Sequence, residues 1–144
     1  MTSESGAHDR SAKLRPVLAL FAGVLAEVFT IITVVIVVYG HRLVAGGQSE
    51  QEMQAYGLRA AAIVGPVFGV IYTFLMALWV MRKVNDRHLT HALLVAVGAI
   101  VLHLLGAFGA PGGFRAIYAY ADLLKLVAAG LAAFIARRRL ESSR

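Results

Sequence analysis

Four ionisable residues sit where water is scarce. Glu27, His103, Asp122 and Lys125 all fall within long apolar stretches of the chain. A charge at the centre of a bilayer costs about 2.5–3.5 kcal/mol on insertion scales, so each charged group needs a partner. The nearest basic flank gives a measure of depth. Glu27 follows Arg15 by 12 residues, which is roughly 18 Å of helix. Lys125 precedes Arg137 by 12 residues, again roughly 18 Å. Acid and amine thus share a level near mid-membrane, and an ion pair between the first and last spans is expected. Asp122 stands at i,i+3 from Lys125, within reach of the same amine. His103 lies 16 residues beyond Arg87, at roughly 24 Å and close to the level of Asp122. Tyr72 and Tyr118 can donate hydrogen bonds to this cluster. The expected site is therefore a buried network of Glu27, Lys125, Asp122 and His103, with Tyr72 and Tyr118 beside it.

Two roles fit such a network. It can fix which helices meet, because removing one partner strands a buried charge. It can also carry protons, since a protonatable carboxylate at mid-membrane, Glu27 first, is what proton-coupled transport requires. The segment Leu25-Ala26-Glu27-Val28 resembles the first helix of the small multidrug resistance exporters. Those are four-helix proteins with a membrane glutamate in that helix. The likeness covers these few residues. The family's aromatic-glycine run in the third helix is missing, and Asp122 and Lys125 in the last helix depart from its pattern.

Other candidate chemistry is thinner. His88 and His91 stand at i,i+3 beside Asp86 without a cysteine, which reads as interfacial histidines and not as a metal site. Bis-histidine haem needs two histidines at one depth, and only His103 lies well inside a span. No phosphate-binding glycine loop or nucleophile elbow is present. Neither metal nor cofactor is expected, and no enzyme activity.

The elements that must hold these residues follow from composition. Of 144 residues, 59% are hydrophobic and only 15% are charged, against about 25% charged in an ordinary globular domain. Mean hydropathy is +0.73. A soluble chain of this size has too little interior to hide so much apolar surface. These figures point away from a soluble enzyme, a disordered tail and a secreted disulfide scaffold. The absence of cysteine removes disulfides and thiolate metal sites.

Four stretches, 16–39, 57–81, 89–108 and 116–136, are long enough to cross about 30 Å of hydrocarbon as helices. Among the charged residues only Glu27, Arg59, Asp122 and Lys125 fall inside them. The predicted fold is all-α: a polytopic, four-transmembrane-helix bundle at 16–136, between a disordered tail at 1–15 and a basic tail at 137–144. The first stretch is too long, and too poor in a cleavage site, for a signal peptide. Pro16 suits a first helical turn, and Gly40 a stop after the first span. Gly46-Gly47 breaks the chain, and Ser49 with Glu52 forms a capping box that starts a short interfacial helix leading into span two. Gly65-Pro66 should kink that span, Asn85 or Asp86 should cap the third, and 109–113 should form a turn.

Small residues mark packing faces in a membrane, where helices associate by close approach and polar contacts. Span two carries Ala61, Gly65, Gly69, Thr73 and Ala77 at every fourth position, including a Gly-xxx-Gly pair. Span one carries Ala19, Gly23, Ala26, Thr30 and Thr33. Span three carries Ala92, Ala96, Ala99, His103 and Gly106. Span four carries Tyr118, Asp122, Lys125, Ala129, Ala132 and Ala136. Spacings of three and four residues suit a left-handed bundle.

Basic residues set the orientation. Ten lie in the two tails and the loop between spans two and three, and three lie on the other side. The positive-inside rule then places both termini in the cytoplasm. The net charge of +6 is read as lipid anchoring by Arg82, Lys83, Arg87, Arg137, Arg138 and Arg139, not as nucleic-acid binding. The expectation is a bacterial inner-membrane protein, a non-enzymatic module or accessory subunit. The alternative is a proton-coupled small-solute transporter titrating at Glu27. Expected partners are the lipid bilayer and a second copy or another membrane subunit.

Overall fold

The computed structural model describes residues 5–84, 87–109 and 116–142. Among them are four helices: α1 (Ser5–Ala45), α2 (Glu50–Met81), α3 (His88–Gly109) and α4 (Ala116–Ser142). All four are long and apolar enough to cross a membrane.

The helix ends have local causes, and four of them differ from the sequence-based expectation, α4 running past 136 to Ser142 through most of the segment expected as a basic tail. α1 begins at Ser5, inside the segment expected as a disordered tail, so Pro16 lies within the helix and not in its first turn. Ala7, Ala12, Lys13, Leu14 and Arg15 are good helix formers. A helix already nucleated downstream extends back through them, because propagation is cheaper than nucleation. At its other end α1 runs through Gly40 to Ala45. Helical glycine costs about 1 kcal/mol. The added turn has compensating contacts: the His41 ring stacks on Tyr56 at 3.7 Å, and Gln48 Nε2 lies 3.1 Å from His41 Nε2. The stop comes at Gly46 and Gly47, whose φ values of 56° and 66° lie in the left-handed region that glycine enters without penalty.

α2 then starts on the expected box. The Glu52 amide donates to Ser49 Oγ at 3.3 Å, and the Ser49 amide donates to Glu52 Oε2 at 2.9 Å. No separate interfacial helix follows; α2 is continuous to Met81, with Pro66 inside it. Ser49→Ala removes the cap and is expected to cost about 1 kcal/mol. Hydrogen exchange would read this as faster exchange confined to the amides of residues 51–54. The expected caps Asn85 and Asp86, and the turn residues 110–113, lie outside the described residues. Arg87 precedes α3 with φ 49°, and its carbonyl accepts from the His91 amide at 3.1 Å.

The helices form a four-cornered bundle. α1 packs on α2 and α3, α4 packs on the same two, and α2 also meets α3. No Cα of α1 comes within 8 Å of one in α4 among the described residues, so these two occupy opposite corners. The half of the bundle nearer the termini is closed by small side chains: Ala19, Ala22, Ala77, Ala92, Ala96, Ala129 and Ala132 are all fully buried around Val80 and Val95. Large apolar residues such as Phe21, Ile36, Leu105 and Phe134 face outward. That inversion, small inside and bulky outside, suits a lipid solvent.

The tightest seam joins α1 to α3. A Cβ on Gly23 would collide with the Val95 carbonyl oxygen, and one on Gly98 with the Leu20 carbonyl oxygen. Sequence patterning placed Gly23 on the packing face of span one but passed over Gly98.

Candidate functional site: a buried acid–base chain beside a cavity

Lys125 lies on α4 and its partner on α1, at the opposite corner. Its long stem spans the diagonal. The ammonium donates to Glu27 Oε2 at 2.8 Å and lies 3.3 Å from Asp122 Oδ1. Lys125 is 1% exposed, Glu27 4% and Asp122 8%. The crossing depends on α2. A Cβ on Gly69 would stand 3.0 Å from Lys125 Cε, so the missing side chain leaves the lane through which the lysine passes.

His103 extends the chain. Its Nδ1 lies 2.6 Å from Asp122 Oδ1. An ionised carboxylate only accepts, so Nδ1 carries the hydrogen and donates. In the neutral ring, Nε2 is then the basic nitrogen. His103 also lines a cavity. The ordered chain is Glu27, Lys125, Asp122, His103. Two carboxylates against one ammonium leave one negative charge over, which a protonated His103 would cancel.

The two tyrosines separate. Tyr118 sets its ring edge-on to His103, with centroids 5.3 Å apart. Tyr72 is drawn elsewhere: its hydroxyl lies 3.0 Å from Thr33 Oγ1, and its ring packs on Phe29 and Phe68. Thr33 also donates to the Phe29 carbonyl, so this pair ties α1 to α2. Thr30 donates to the Ala26 carbonyl at 2.9 Å, beside the lysine.

The small-residue stripe of α2 divides in the same place. Gly69, Thr73 and Ala77 are buried. Ala61 and Gly65 instead line a cavity, and a Cβ on Gly65 would meet nothing within 4 Å. The Gly65-xxx-Gly69 pair is therefore not a helix–helix seam over its whole length. The cavity has a volume of about 230 Å³ and lies in the half of the bundle away from the termini. Glu27 and His103 form its polar wall, with Tyr118 beside them; Ile31, Val34, Val35 and Leu102 are apolar. Sequence patterning missed this cavity. Its signal is a lack of volume at Ala61, Gly65, Gly106 and Ala107, and a small residue that leaves space has the same letter as one that packs.

The remaining candidates are placed as follows. Arg82, Lys83, Arg87, Arg137, Arg138 and Arg139 are exposed at the end of the bundle that carries the termini. Arg138 lies 4.5 Å over the Phe134 ring. His91 is buried, with Nδ1 3.0 Å from the Arg87 carbonyl. No group of three or more side chains able to hold a metal ion occurs among the described residues. No protein-family model, no curated protein and no solved structure matches this chain.

Proposed function

We propose that this is a multi-pass inner-membrane protein, without enzymatic activity, whose buried acid–base chain exchanges protons with the cavity and couples them to a small solute. One observation carries this: the only two members of the chain that reach the cavity wall, Glu27 and His103, are its two ends. A purely structural ion pair needs no such opening. The half of the bundle towards the termini is packed shut with alanine, so the chain is approached from one side. That asymmetry is what a gated site has in one of its two states. Both termini are taken as cytoplasmic from the basic flanks, which turns the cavity to the outside.

Glu27→Gln tests the proposal. It keeps the shape and a hydrogen-bond acceptor for Lys125, and removes one titrating group. In liposomes, pH-sensitive dye should report solute-driven proton movement with the natural chain and none with the variant, while the variant's unfolding midpoint stays near the natural one. The accessory-subunit reading makes the opposite forecast: the variant loses thermal stability, and neither chain moves protons. Lys125 favours that second reading, since it joins helices at opposite corners of the bundle.

A further inference from the structure

A second site lies at the other end of the bundle, where α3 begins and α4 ends. A pocket of about 440 Å³ opens there between the two helices. Its rim is basic, formed by Arg87, His88 and Arg137, and its floor is apolar, formed by Leu89, Ala133 and Phe134 around Gly130. Among the described residues, no carboxylate lines it. Gly130 has open space where a Cβ would be, so the floor is a groove and not a wall. Arg87 reaches its place with a left-handed φ of 49°. A non-glycine residue there is strained, and such strain gathers at ligand clamps.

We propose that this pocket binds the head group of an anionic phospholipid, its phosphate between Arg87 and Arg137 and the start of an acyl chain along Leu89, Ala133 and Phe134. This rests on the membrane placement proposed above. Guanidinium pairs recognise phosphate in forked geometry. Basic pockets between membrane helices on the cytoplasmic side suit acidic head groups. A zwitterionic head group brings its own ammonium towards two arginines and gains less. A free phosphate would satisfy the rim but leave the apolar groove empty. The site therefore differs from general anchoring by Arg82, Lys83 and Arg139, which are exposed outside the pocket.

The test compares phosphatidylglycerol, phosphatidylcholine and inorganic phosphate as probes, with retention read by native mass spectrometry and unfolding by melting. The natural chain should retain one phosphatidylglycerol and melt later in its presence, with little response to phosphatidylcholine. Arg87→Gln with Arg137→Gln should weaken retention about tenfold or more. Arg82→Gln with Lys83→Gln removes equal charge outside the pocket and should leave retention unchanged. Gly130→Leu keeps every charge, fills the groove, and should also abolish retention. Equal loss in the Arg82/Lys83 pair would overturn the proposal in favour of diffuse attraction. Equal retention of phosphatidylcholine, or displacement by inorganic phosphate at similar concentration, would overturn it too. Flotation with phosphatidylcholine vesicles separates the two levels. A chain that does not float refutes the membrane placement; one that floats without preferring phosphatidylglycerol refutes only the pocket.

Discussion

Lys125→Met should destabilise the bundle by about 3–5 kcal/mol, the cost of leaving buried charge without its counter-ion. Methionine keeps most of the stem that fills the lane beside Gly69, so lost packing is a minor part of the change. What goes is the ammonium, which holds Glu27 at 2.8 Å and Asp122 at 3.3 Å. Two carboxylates then face each other in a site shielded from water. They must separate, take up protons or draw water in. Each route opens the centre, where α1 and α4 stand at opposite corners. Unfolding in detergent measures the effect. Pairing Lys125→Met with Glu27→Gln should recover a large part of the loss, because only Asp122 remains, and His103 already holds it at 2.6 Å. A coupling energy near zero in that double-mutant cycle, or a Lys125→Met protein as stable as the natural one, would remove the ion pair from any account of this fold.

The ion pair is legible because long apolar helices leave charges few places to go. Counting residues from Arg15 and Arg137 put Glu27 and Lys125 at one depth, and apolar surroundings did the rest. The turn after α1 was legible for a similar reason. Gly46-Gly47 followed by Ser49 and Glu52 is chemistry that one local geometry satisfies. Neighbourhood was not legible. Helical periodicity says which face of α4 carries Lys125, but not that α1 stands at the far corner or that Gly69 must clear the way between them. Tyr72 shows the same limit: a tyrosine able to donate to the acids gives its hydroxyl to Thr33 instead, because of its rotation about α2. Gly98 lies off the stripe of Ala92, Ala96 and Ala99, so helical spacing does not single it out. α3 carries Ala92, Ala96 and the Val95 side chain into the core, and sets Gly98 with the Val95 carbonyl and the Ala99 amide against α1.

Those glycines give a test in which one substitution has opposite signs at two sites. Gly98→Ala adds a methyl where the Leu20 carbonyl oxygen already stands. A side chain in the way could rotate aside, but a helical carbonyl cannot, so α1 and α3 must part. Parting them loosens Ala19, Ala22, Ala92 and Ala96, all fully buried. It also shifts Glu27, one turn beyond Gly23. Overpacking costs about 1–3 kcal/mol and occasionally more; a backbone collision belongs at the upper end. Gly23→Ala meets the Val95 carbonyl oxygen and should behave alike. Gly65→Ala is the counter-case. Nothing lies within 4 Å of its added methyl, and alanine is better than glycine inside a helix by up to about 1 kcal/mol. That variant should unfold at or above the natural midpoint. Equal damage at Gly65 and Gly98, or none at Gly98, would show that α1 and α3 do not meet backbone to backbone.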